Sequence, residues 1–223
     1  MPMSADSTAA KAMKLVYLKM AIALVVTGVV SYFCGTSVEY ITYFATHSWV
    51  MWALIIAQFG IVIGIGAGLN KLSTTAGTIL FYAYSVIMGL WVAPIFAVYT
   101  HTSIAKTFFI TAGTFGAMSV YGYTTKQDLS KFGKILMMAL IGIIIASIVN
   151  IFTKSSTLDW IISIVGVLVF VGLTAWDTQK IKQLAMVIPA SEHGRLATLG
   201  ALNLYLDFIN LFLFLLRFFG RRD

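Results

Sequence analysis

Asp177 and Asp207 each lie inside a long apolar run, residues 158–178 and 199–219. An ionisable side chain at bilayer depth costs about 2.5–3.5 kcal/mol on insertion scales, so such a residue faces a partner or water and marks a functional site. Two carboxylates held close together in a partly desolvated site do not easily both carry charge, so they share a proton and titrate as a pair. Hard cations such as Ca²⁺ prefer carboxylate and carbonyl oxygens. Asp177 and Asp207 are therefore expected to form a combined proton sensor and Ca²⁺-binding metal site.

Helical geometry sharpens this expectation. At about 100° per residue, Asn203, Asp207, Asn210, Phe214 and Arg217 share one narrow face of the last run, and leucine and phenylalanine fill most of the rest. A polar stripe on an apolar span points into a helix bundle or a water-filled cavity, because lipid offers no hydrogen-bond partners. Asn203, Asn210 and Arg217 are expected to support the carboxylates. Interhelical hydrogen bonding by the asparagines, with a lysine partner for Asp207, is the alternative. Ser163, Gly166, Phe170, Thr174 and Asp177 form a similar stripe on the preceding run.

The elements that must hold these residues belong to a membrane. Of 223 residues, 60% are hydrophobic and only 10% charged, with a mean hydropathy of +0.93. That is more apolar surface than one soluble core can hide. A bilayer core about 30 Å thick needs about 20 apolar helical residues to cross it. Seven such runs are present: 15–38, 49–69, 76–100, 104–123, 134–153, 158–178 and 199–219. The reading is an all-α integral membrane protein, a seven-helix bundle forming one transmembrane domain over 15–219, with tails at 1–14 and 220–223. Lys19 lies near enough to an end to snorkel, and Pro94 is expected to kink the third span. The first run is longer than a signal peptide's apolar region, and Val30-Ser31-Tyr32-Phe33 offers no small-residue cleavage site, so it reads as an uncleaved span.

The net charge of +7 reflects topology. Lys11, Lys14, Lys71, Lys126, Lys131, Lys134, Lys180, Lys182 and Arg195 fall on one side of seven crossings, and only Lys106 and Lys154 lie in the loops of the other. The positive-inside rule then makes the amino terminus cytoplasmic. Arg221 and Arg222 would lie outside, against the rule, which leaves six full spans plus a re-entrant segment as the alternative. Seven is preferred because 199–219 is long enough to cross. A nucleic-acid partner is excluded, since its reader would gather basic residues on one soluble face.

Other residues carry less. His47, His101 and His193 are scattered on different sides and do not suggest a shared metal site. Cys34 reads as a small buried residue, and Glu39 as a solvated helix end. Gly60, Gly64 and Gly68, like Gly113 and Gly116, are expected to let neighbouring helices approach closely. Asn150 reads as an interfacial hydrogen-bonder.

The stretches YGYTTKQDLSKFGKIL (121–136), VNIF (149–152), GLTAWDTQKI (172–181) and LYLDFINLFLFLLR (204–217) closely resemble the Bax inhibitor-1 family. The short amino-terminal tail lacks the proline-rich extension of many eukaryotic members, so the resemblance is to a bacterial one, placed in the inner membrane. It implies a seven-helix bundle with the last helix central and a pH-sensitive Ca²⁺ leak gated by an aspartate pair. The DTQ aspartate corresponds to Asp177 and the LYLDFINLF aspartate to Asp207. It also implies a basic closed-state latch near the inner end of the second helix. Lys71 is the charged residue there, beside Asn70; if Asn70 is the counterpart, the latch is absent or built differently.

A leak needs no ATP, and no phosphate-binding Gly-rich loop is present, so neither an enzyme nor a resident cofactor is expected. The partners are the lipid bilayer, Ca²⁺ and H⁺. The rival is an interaction protein that modulates a membrane-anchored ATP-dependent protease, as some bacterial relatives do. An aspartyl intramembrane protease would place its second aspartate after Gly-x-Gly, whereas Asp207 follows Tyr205-Leu206. The Gly-x-Ser-Gly of a rhomboid-like protease is absent, and the last span has no lysine for a retinal Schiff base.

Overall fold

The computed structural model describes residues 5–67 and 73–221. Lys71, Asn70, Gly68 and Arg222, invoked above, lie outside the described residues. In lipid every backbone N–H and C=O must be satisfied within the segment, and the described chain is accordingly helical. The elements are α1 (Ala5–Gly35), α2 (Val38–Thr46), α3 (Ser48–Ala67), α4 (Thr74–Val92), α5 (Ile95–Val98), α6 (His101–Thr124), α7 (Ser130–Thr153), α8 (Ser156–Val187), a 3₁₀ turn (Ala190–Glu192) and α9 (His193–Phe219).

Among the described residues six segments are long and apolar enough to cross a membrane: α1, α3, α4 with α5, α7, α8 and α9. The fourth expected span, 104–123, is the 24-residue α6. It is long enough to cross but is not among the six, because Lys106 and its threonines, serines, glycines and tyrosines make it less apolar than they are. Of the six, α9 is the most thoroughly buried and α3 the least, which agrees with a central last helix.

Three boundaries differ from the sequence reading. The first run does not continue to residue 38. A β-carbon at Gly35 would come within 2.5 Å of the Ala93 carbonyl oxygen, and the Ser37 hydroxyl accepts the Tyr40 N–H at 3.2 Å to start a separate helix, α2. At Pro94 the chain breaks rather than kinks: α4 stops at Val92 and the one-turn α5 follows, since proline has no N–H to continue the ladder. Helix α8 runs nine residues beyond 178 to Val187. At 1.5 Å per residue it is about 48 Å long, so its last turns extend past a hydrocarbon core of about 30 Å.

The chain divides into two compact units. Of the described residues, one comprises 5–67, 73–100 and 184–205. Its α1 presents a buried face at Ala9, Ala12, Met13, Val16, Met20 and Ala23, three- and four-residue intervals that make one helical stripe. Helix α4 packs on α1 and α3; at Gly89 a β-carbon would come within 2.8 Å of Val30. Lys19 does not snorkel. It is 9% exposed, and its ammonium donates to the hydroxyls of Thr78 at 2.7 Å and Thr198 at 2.8 Å, so buried hydroxyls replace the interface as its partners. Thr27 donates to the Ser85 carbonyl at 2.8 Å. Its one hydroxyl proton is thereby used, so the Tyr205 phenol donates to Thr27 Oγ1 at 2.6 Å.

The second unit comprises His101–Gln183 and Leu206–Arg221. Leu136 and Ile143 of α7, Ile162, Val169, Phe170 and Leu173 of α8, and Leu211 and Leu215 of α9 form its core. With lipid tails as apolar as these side chains, close packing rather than water exclusion holds such helices together. The α7–α8 corner closes on Asn150, whose Oδ1 accepts the Ser155 N–H at 3.0 Å, while Lys154 takes the left-handed conformation at φ 48°. Asn150 is thus a hydrogen-bonder, as expected.

The close-approach glycines are not those the sequence suggested. A β-carbon at Gly60, Gly64, Gly113 or Gly116 would meet nothing within 4 Å, whereas one at Gly122, Gly133, Gly166 or Gly172 would collide with a neighbouring helix. A four-residue glycine repeat marks a possible contact face; the partner decides whether it is used.

Candidate cation site

Asp177 and Asp207 both belong to the second unit. Helices α8 and α9 run antiparallel there. Phe214 lies against Gly166 and stacks on Phe170 with ring centroids 5.8 Å apart, and Arg217 reaches Asp159 at 3.2 Å. Continuing this register brings Asp177 to the level of Asp207. The stripe expected on α8 is thus the face that meets α9.

Asp207 is 4% exposed, and its Oδ2 is buried without a hydrogen-bond partner among the described residues. Asp177 is half-buried. Lys180, three residues further along α8, has its ammonium 5.0 Å from the centroid of the Trp176 ring.

The segment around Asp177 is fixed from both sides. At Gly122 of α6 a β-carbon would sit 2.2 Å from the Ala175 carbonyl oxygen, and at Gly133 of α7 one would sit 2.2 Å from the Trp176 indole. Only a residue without a side chain permits either approach. Beyond Asp177, Gln179 Nε2 donates to the Gln127 carbonyl at 2.7 Å, and Gln179 Oε1 accepts the Leu129 N–H at 2.9 Å. Lys182 donates to the Tyr123 carbonyl at 2.9 Å and lies over the Tyr123 ring at 4.4 Å. The two sequence stretches 121–136 and 172–181 are therefore two halves of one interlocking contact.

The remaining predicted residues separate. Asn203 is half-buried. The Asn210 amide donates to the Leu206 carbonyl of its own helix at 2.8 Å. Arg217 is paired with Asp159 at 3.2 Å, ten residues and about 15 Å along the helix from Asp207. A shared face did not make these residues one site, because helical periodicity fixes direction and not depth. Gln179, Lys182 and Asp159 were not singled out from the sequence. Gln179 and Lys182 lie in or beside the quoted motif, whereas Asp159 carried no signal.

Among the described residues no three His, Cys, Asp or Glu side chains converge on one point. Ca²⁺ takes six to eight oxygens at about 2.3–2.6 Å, so the two carboxylates would supply part of a shell and leave the rest to hydroxyls, carbonyls or water.

Apolar helices around a buried carboxylate, Asp207, define the class, a polytopic helical membrane protein with an ionisable side chain in its interior. The model of the family described as "Inhibitor of apoptosis-promoting Bax1" matches residues 9–223, and the chain belongs to this, the Bax inhibitor-1 family. It is 50% identical over 210 residues to the inner membrane protein YbhL of Escherichia coli K12, covering 93% of this chain and 90% of that one. An uncharacterized protein of Borreliella burgdorferi is 47% identical, covering 91% and 88%. The uncharacterized protein RP147 of Rickettsia prowazekii is 44% identical, covering 93% and 88%.

Proposed function

We propose that this protein lets Ca²⁺ leak across the bacterial inner membrane under control of the protonation state of Asp177 and Asp207. It is a multi-pass protein with a cytoplasmic amino terminus, and it needs neither a resident cofactor nor covalent chemistry. The observation that carries the reading is the buried, unpartnered Asp207 Oδ2, at the level of Asp177 across the antiparallel α8–α9 contact. A carboxylate oxygen kept from water and from protein donors is expensive to bury, and a proton or a cation would satisfy it. When the pair is ionised it attracts a cation; as pH falls it gains protons and that attraction fades. Conduction requires a site strong enough to draw an ion in and weak enough to release it, and an incomplete oxygen shell meets both demands.

The test is Ca²⁺ flux into proteoliposomes holding a calcium dye, scanned from acidic to alkaline pH. Native protein should give pH-dependent flux, and Asp177→Asn and Asp207→Asn should abolish it or remove its pH dependence. Flux absent at every pH from well-folded native protein would overturn the leak. Attention would then turn to an interaction role beside a membrane-anchored ATP-dependent protease.

A further inference from the structure

Ser119 lies on the buried face of α6, 6% exposed, with its hydroxyl unpartnered among the described residues. Four other hydroxyls on the helices of this unit behave differently. Thr111 donates to the Thr107 carbonyl at 2.8 Å, Thr124 to Val120 at 2.7 Å, Ser163 to Asp159 at 2.8 Å and Thr174 to Phe170 at 2.8 Å. This bond to the carbonyl four residues back is the ordinary resting place of a helical hydroxyl. Ser119 forgoes it, so its proton and lone pairs are available to something else.

Its position says to what. Ser119 sits one turn from Phe115 and one turn from Gly122 on the same buried face. Phe115 meets Phe208, the residue after Asp207, with ring centroids 5.4 Å apart. Gly122 meets Ala175, two residues before Asp177, at the close approach described above. Ser119 is thus the polar residue on α6 between the contact beside one carboxylate and the contact beside the other. The unit therefore buries an acceptor without a donor, Asp207 Oδ2, and a hydroxyl without a partner, Ser119 Oγ.

We infer that Ser119 supplies a third oxygen of the cation site, ligating directly or through water the ion that Asp177 and Asp207 attract. The inference rests on the cation-site reading above and adds α6 to a site otherwise built by α8 and α9. A hydroxyl adds an oxygen to the incomplete shell without adding charge, so it tightens binding while leaving the protonation balance to the two aspartates.

Purified protein in detergent is titrated with Tb³⁺, a hard cation whose luminescence is excited through nearby tryptophan, here Trp176 beside Asp177. Native protein should give a saturable signal that Asp207→Asn removes. Ser119→Ala should raise the half-saturating Tb³⁺ concentration on the order of tenfold, in the range of one charge-assisted contact, and Ser119→Thr, which keeps the hydroxyl, should restore it. Because Ser119 Oγ has no protein partner, the alanine variant should unfold no earlier than native protein. Ser119→Ala titrating as native, or native protein giving no saturable signal, overturns the inference. Saturable, Ser119-dependent binding without Ca²⁺ flux overturns the leak and leaves the third ligand standing.

Discussion

The indole of Trp176 occupies the space that a side chain at Gly133 would fill, with Cδ2 and Cε2 each 2.2 Å from the position of a β-carbon there. Trp176 precedes Asp177, so the packing of an α7 glycine helps set where the carboxylate points. Gly133→Ala should force the ring and its helix to shift, costing about 1–3 kcal/mol as overpacking does. Thermal unfolding in detergent should show a lowered midpoint, and tryptophan emission should move. Gly142→Ala, where a β-carbon meets nothing within 4 Å, should leave both unchanged. Equal effects at the two positions would refute the account.

Gln179 joins α8 to the segment between α6 and α7 by two hydrogen bonds, one in each direction. Gln179→Leu keeps much of the volume and removes both. The buried Leu129 N–H is then left without its acceptor, at a cost of about 1–3 kcal/mol. Hydrogen exchange should quicken at the Leu129 amide while the middle of α7 keeps its protection. Unaltered exchange at Leu129 would show that the bond does not hold the segment.

Tyr205 is fully buried, set edge-on to Phe81 and Tyr84 at 5.7 and 5.9 Å. Tyr205→Phe keeps those ring contacts and removes the donor to Thr27, which retains its own bond to the Ser85 carbonyl. The loss should be about 1 kcal/mol. In a double-mutant cycle with Thr27→Val the phenylalanine change should cost nothing further, whereas full additivity would mean that the two hydroxyls do not interact.

Asp128, at the start of α7, accepts the Ser130 N–H at 2.9 Å. Hydrogen bonds from the Ser130 side chain and backbone, and then the positive charge of Lys131, hold its carboxyl below the usual carboxylate range. With the folded value depressed, the Asp128 contribution is complete above the unfolded value of about 3.9 and disappears as pH falls through the folded value. The pH profile of stability for Asp128→Asn should therefore lie below the native profile by a constant gap above about pH 5 and close on it in acid. Profiles that stay parallel throughout would remove Asp128 from the balance.

Composition and apolar run length were enough to establish an all-α membrane protein, because lipid permits few other ways to satisfy a backbone. Two carboxylates stood out for the same reason. Pairwise depth was less legible. Arg217 shares a face with Asp207 yet pairs with Asp159, and nothing in a single helical period says how far along the axis a partner lies. Lys19 was read as reaching for the interface, because Thr78 and Thr198, 59 and 179 residues away, could not be foreseen as its acceptors. Ser119 was overlooked because a serine among apolar residues is ordinary; the missing bond to its own helix makes it unusual, and a missing bond leaves no trace in the sequence.

Helix α6 has a consequence for how the chain is made. It is less apolar than the six segments that can cross on composition alone, so it is the long helix least able to leave the translocation machinery unaided. Helix α7, the most apolar of the six, follows after only the five residues 125–129. The two should therefore enter the bilayer as a hairpin, and weakening α7 would strand α6 during biogenesis before any folded contact is tested.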